Sequence, residues 1–235
     1  MKCHLTQTIL LMSLLFLVHH AAQQDFSFEI EAAKDRFVLG EMVTLTGKVT
    51  NVSAERKVLF RIQYKQWLYL SRDGKQLSRI SGGGGGGLVN PFEPGKSLEV
   101  LARLQSGSAG EPGISLDQPG IYYIQAELET DVGETLQSNV IEIRIVEPEG
   151  TDAKVWELLR GEDGTHQDYY LLVSGGVIKN KELLKKFVSI VQSYSESVYT
   201  LALRKGLVQY FENQLNKQQL SEPEKAWYEA IRAEP

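Results

Sequence analysis

Cysteine is all but missing: the 235-residue chain has one, Cys3, ahead of an apolar run near its start. A disulfide framework, a cysteine-ligated zinc and a thiol nucleophile are thereby excluded from the rest of the chain. Histidine is almost as scarce, and beyond the first twenty residues only His166 remains. A zinc site needs three or four ligands of the Cys, His or carboxylate kind, so a single histidine argues against one. A Ser-His-Asp device needs a nucleophile, a base and a group that orients the base, and no Gly-x-Ser-x-Gly elbow is present. His166 lies in the polar run Glu162–Asp168 and reads as a solvated loop residue. Glu162, Asp163 and Asp168 lack the alternating acidic loop that calcium requires. No cofactor or metal is expected. Basic blocks are absent too, and the formal net charge is −5, which speaks against nucleic acid and anionic membrane surfaces as partners.

What is present begins with a leader. Lys2 supplies a positive start, Ile9 to Val18 is apolar apart from Ser13, and Ala21-Ala22 offers small residues for cleavage. The run is too short to span a bilayer. Residues 1–22 are expected to be a signal peptide cut after Ala22, which places the protein in the periplasm or outside the cell, with no membrane association after cleavage.

From residue 23 to about 148 the period is two. Phe26, Phe28 and Ile30 alternate with polar residues, as do Val43, Leu45, Gly47 and Val49, then Val58, Phe60, Ile62 and Tyr64. Arg72-Asp73-Gly74 between Trp67–Ser71 and Lys75–Ile80 is a hairpin signal. Leu98, Val100, Ala102 and Leu104 form another strand. Pro119-Gly120 turns the chain into Tyr122, Ile124, Ala126 and Leu128, and Ile141, Ile143 and Ile145 close the series. Short strands joined by turns, with no helix between them, predict a two-sheet sandwich. Gly82 to Gly87 is followed by Leu88-Val89-Asn90-Pro91 rather than Lys-Ser/Thr, so it is no phosphate cradle and reads as a flexible surface loop. Asn51-Val52-Ser53 matches a glycosylation acceptor and also reads as a turn.

Pro148-Glu149-Gly150 stops the strands, and helical spacing takes over. Val155, Leu158 and Leu159 mark a first helix; Leu183, Leu184, Phe187, Val188, Val191 and Tyr194 mark a second. Val198 through Phe211 marks a third, with Gly206 as a soft point, and Ser221-Glu222-Pro223-Glu224 has the form of a capping box opening a last one. The expected fold is thus an all-β immunoglobulin-like sandwich over 23–148 followed by a small all-α unit over 149–235.

Leu39-Gly40-Glu41 before the Val43 strand, Pro94-Gly95, Pro119-Gly120-Ile121-Tyr122 and Ser138-Asn139-Val140 resemble the pattern of immunoglobulin-like domains in exported bacterial proteins. The layout is also similar to that of the bacterial intracellular proteinase inhibitor family, although leader, glycine run and helical tail have no place there. Tyr194 to Leu203 resembles the junction between helices of tetratricopeptide-type repeats, in at most one and a half units. The chain lacks the residues that most chemistries require, and units of both resembled kinds commonly serve as interaction surfaces, so a non-enzymatic binding module is expected.

Tyr64, Trp67 and Tyr69, with Arg72 beside them, are the candidate binding residues. Flat aromatics bury much area at low entropic cost, which suits a protein interface. The expected partner is a protein. A secreted proteinase inhibitor, presenting Ile80–Phe92 or Gly107–Ser115 as a loop, is the first alternative, and a carbohydrate-binding protein using the aromatic cluster is the second.

Overall fold

The computed structural model describes residues 25–59, 63–86, 91–104, 116, 118–130, 135–160 and 165–233, with side chains described for all of these except 63–65, 81–86, 100–104, 130 and 166. Among the described residues nine strands come first: β1 (Phe26–Ala32), β2 (Arg36–Val38), β3 (Val43–Asn51), β4 (Gln63–Ser71), β5 (Ser78–Gly86), β6 (Ser97–Leu104), β7 (Gly120–Thr130), β8 (Thr135–Gln137) and β9 (Ile141–Val146). One sheet runs β1-β3-β6. The other runs β2-β9-β7-β4-β5, with β8 on the far half of β7. β2 pairs parallel with β9, whereas the neighbouring strands of both sheets otherwise run antiparallel.

The alternation explains the packing. Phe28, Ile30, Val43, Leu45 and Val49 of the small sheet meet Leu68, Leu70, Ile124, Ala126, Leu128, Ile143 and Ile145 of the large one. Each of these side chains except Ala126 contributes about 1.5–3 kcal/mol by leaving water. Tyr122, fully buried, donates its hydroxyl to the Gln118 carbonyl four residues back at 2.6 Å. That is the tyrosine corner of immunoglobulin-type sandwiches, and with the sheet order it establishes the immunoglobulin-like architecture.

Two asparagines staple the sandwich. Asn51 is fully buried; its amide donates to the carbonyls of Glu55 (2.7 Å) and Phe92 (2.8 Å), and its Oδ1 accepts from the Ser53 amide and hydroxyl. In the folded chain the amide of the Asn51-Val52-Ser53 sequon is therefore fully engaged, and the turn reading accounts for it. Asn139 both accepts from the Ile30 amide and donates to its carbonyl, continuing the backbone ladder of β1 with a side chain.

Two expectations for this half change. A strand over 58–64 is met only at its end: Val58 and Leu59 precede β4, and 60–62 lie outside the described residues. The glycine run is not a loop, for Gly82–Gly86 is the end of β5 and pairs antiparallel with Gln63–Trp67. β4 offers a full row of backbone donors and acceptors on that side, and glycine satisfies them as well as any residue does.

Five helices follow among the described residues: α1 (Gly150–Leu159), α2 (Thr165–Val173), α3 (Lys181–Ser193), α4 (Val198–Asn216) and α5 (Glu222–Ala233). α4 is the hub, packed against the other four. Asn180 caps α3 by accepting from the Glu182 and Leu183 amides. Ser221 and Glu224 form one half of the expected capping box: the Ser221 amide donates to Glu224 at 2.8 Å, while the Ser221 hydroxyl donates to the same carboxylate oxygen instead of accepting from the Glu224 amide. α2 occupies a stretch expected to be a loop, so the backbone of His166 is helical while its side chain lies outside the described residues. Gly206 is no soft point. A side chain there would meet the Leu172 carbonyl oxygen at 2.7 Å, so the glycine lets α4 cross close over α2. On α1 the buried face is Val155, Trp156 and Leu159, with Leu158 exposed.

The two halves are joined by more than the Glu147–Glu149 link. Val38, Leu39 and Met42, flanking the β2–β3 turn, pack into the helical core. Tyr170 donates to the Gly40 carbonyl at 2.9 Å, and Tyr199 donates to the Leu39 carbonyl. Gly40 sits at φ +90°, with the Trp156 ring against it, and that ring stacks on Tyr199 at 5.8 Å. The fully buried Tyr169 completes the cradle, its hydroxyl pushed well above its ordinary pKa by burial.

Candidate functional site

Because Leu68 and Leu70 of β4 point into the sandwich, Trp67 and Tyr69 point out of it. On β7 the same logic sends Tyr122, Ile124, Ala126 and Leu128 inward and leaves Tyr123, Gln125 and Glu127 on the outward face. Register then sets the neighbours. Trp67 stands opposite Glu127 and Tyr69 opposite Gln125. On the other side Trp67 stands opposite Gly82 and Tyr69 opposite Arg79, with a register shift between Leu68 and Tyr69.

Gly82 has no side chain to cover Trp67, and the Arg79 guanidinium lies over its ring instead, 4.4 Å from the centroid. Such a contact is worth about 0.5–1 kcal/mol at an exposed site. Arg79 forms no ion pair among the described residues.

Next to this pair is a hollow of about 220 Å³ lined by Tyr69, Leu77, Gln125, Glu127 and Gln137. Tyr69 donates a long hydrogen bond, 3.4 Å, to Glu127 Oε1. Burial first, and the Glu127 charge second, raise the pKa of Tyr69. Gln125 Nε2 donates to the Ser138 carbonyl at 2.9 Å, which fixes that side chain. Glu127, half-buried, has no cationic partner among the described residues.

Of the four residues singled out in the sequence, Trp67 and Tyr69 share this face. The backbone of Tyr64 pairs with Gly85 and Thr130 in the large sheet, and its side chain lies outside the described residues. Arg72 is elsewhere: it donates to the Tyr122 hydroxyl at 2.6 Å and to Gln118 at 3.1 Å, bracing the tyrosine corner. Arg79, Glu127, Gln125 and Gln137 were missed. The alternation of β7 was visible and placed Gln125 and Glu127 on its wet face, but which strand lies beside it is not written in any local pattern.

Among the described residues no three His, Cys, Asp or Glu side chains gather as metal ligands, and no helix is long and apolar enough to cross a membrane. No protein family's model matches the chain, and no curated protein matches it in sequence. Among solved structures, the CARDB domain of a Pyrococcus furiosus protein is similar, at 14% identity and a TM-score of 0.32, covering 52% of this chain and 94% of that one. The sporulation control protein Spo0M of Bacillus subtilis is similar at 14% identity and a TM-score of 0.32, covering 57% and 54%. A β-glucosidase of Erythrobacter marinus, at 19% identity and a TM-score of 0.31, overlaps 52% of this chain and 15% of its own.

Proposed function

We propose that this is an exported, non-enzymatic binding module that captures a protein partner on the outward face of its large sheet. Export rests on the leader at residues 1–22, which places the work in the periplasm or outside the cell. One observation carries the binding reading: Trp67 and Tyr69 are held half-buried by sheet geometry beside an arginine and a carboxylate that have no ion-pair partners among the described residues. Aromatic anchors flanked by charges of both signs supply area and orientation together. The helical unit, whose repeat-like junction lies at the start of α4, serves as a brace. It grips the β2–β3 turn, which leads into the small sheet.

A proteinase inhibitor of the presented-loop kind fits less well. Ile80–Gly86 is committed to β5, and Gly107–Ser115 lies outside the described residues.

The test is partner capture by the chain from Gln23 onward, set beside a Trp67→Ala/Tyr69→Ala double variant. A partner held by the first and weakened at least tenfold by the second, with the melting temperature lowered by no more than a few degrees, supports the face. Undiminished capture by the variant, or its unfolding, removes it.

A further inference from the structure

The hollow beside Tyr69 carries more chemical information than the face around it. Among the described residues, Glu127 offers a carboxylate that accepts one long hydrogen bond, from Tyr69. Gln125 gives its Nε2 to Ser138, so its remaining capacity includes the oxygen, an acceptor. Among the described residues this half-buried carboxylate has no counter-charge. A complementary ligand therefore brings several donors and a positive charge. An ammonium has three donors and no acceptor.

The apolar part of the lining is Leu77 and the Tyr69 ring, suited to methylenes lying along a wall with the charged end against Glu127. About 220 Å³ suits a side chain's four-carbon stem and its ammonium. Arg79, on the strand next to β4, has its guanidinium over Trp67.

We propose that this hollow binds a primary ammonium on an alkyl stem, presented as a lysine side chain by the partner protein. The inference rests on the reading of this face as a protein-binding surface and adds the chemistry of the contact.

Titrations followed by the side-chain amide resonances of Gln125 and Gln137 test it. Nα-acetyl-lysine methylamide is expected to move both, saturating in the millimolar range, at least tenfold more tightly than its Nε-acetylated form and more weakly as salt rises. Glu127→Gln is expected to reduce that affinity at least tenfold while the melting temperature holds. Equal binding of the acetylated probe overturns the proposal, as does cellobiose moving the same resonances when the ammonium does not. A free diamine, 1,5-diaminopentane, binding a hundredfold more tightly than the lysine probe overturns the partner-lysine assignment in favour of a small amine. With a captured partner the two readings separate: loss on Trp67→Ala together with full retention on Glu127→Gln leaves the face standing and sinks the ammonium contact.

Discussion

Replacing Gly40 by alanine tests whether the β2–β3 turn is seated in the helical unit as described. Gly40 is at φ +90°, and a Cβ there would reach three atoms of the Trp156 ring, the farthest of them at 2.6 Å. The left-handed backbone alone costs an alanine about 1–2 kcal/mol. The collision adds about 1–3 kcal/mol of overpacking. Moving the ring to relieve it loosens the stack on Tyr199, 5.8 Å away and 17° from parallel, worth about 0.5–1.5 kcal/mol. The total, about 2.5–6.5 kcal/mol, is a large part of the 5–15 kcal/mol typical of a folded protein. Gly95 is the control, since it sits at φ +75° and a Cβ added there would have nothing within 4 Å, so Gly95→Ala is expected to show backbone strain alone, about 1–2 kcal/mol. Urea unfolding followed by tryptophan fluorescence and far-ultraviolet circular dichroism gives both numbers. A Trp156→Leu background should reclaim part of the Gly40→Ala loss, because the clashing ring is then gone. If Gly40→Ala falls within about 1 kcal/mol of Gly95→Ala, the seating of the turn against Trp156 is wrong.

Two further outcomes follow from hydrogen bonds already described. Tyr122→Phe removes a hydroxyl that donates to Gln118 and accepts from Arg72, both at 2.6 Å; thermal unfolding should show a loss of about 1–3 kcal/mol, and an unchanged melting temperature would dismiss the tyrosine corner as a stabilising element. For Glu224, burial works to raise the pKa, but the Ser221 hydroxyl and amide and then Lys181 outweigh it and hold the carboxyl below its ordinary value. A lowered folded value means that the unfolded chain binds the proton more readily. The contribution is therefore complete above the ordinary glutamate pKa of about 4.3 and fades as pH falls through the folded value. Glu224→Gln should thus cost about 1 kcal/mol at neutral pH and little in strong acid, where the two proteins converge. A gap that stays constant with pH refutes the carboxylate's role in the cap.

The sandwich was legible because its information is local. Alternation at Phe26–Ile30, Val43–Val49 and Tyr122–Leu128, the Asp73-Gly74 hairpin and the Pro119-Gly120 turn each state a backbone preference within a few residues. The Ser221–Glu224 cap was legible for the same reason. Three features were not. α2 carries Tyr169, Tyr170 and Leu172 inward, but its nine residues follow a polar acidic run and give too short a periodic signal to stand out. The Gly82–Gly86 strand has no side-chain pattern, so composition pointed to a loop while β4 supplied the partner that made it a strand. Trp67 and Tyr69 were found as aromatics, whereas Arg79 and Glu127 became their neighbours only through register, and Arg72 was drawn away by Tyr122.

That glycine strand makes one edge of the large sheet indifferent to counting. In an ordinary strand a slip of one residue turns every side chain to the opposite face and ruins the core. Along Gly82–Gly86 there is no side chain to turn, so a slip confined to this stretch against Gln63–Trp67 changes no face. Gain or loss of one glycine would lengthen or shorten the strand's end without changing the side chains on either face. The chain thus carries, beside its aromatic face, a strand end whose pairing with β4 is set by backbone alone.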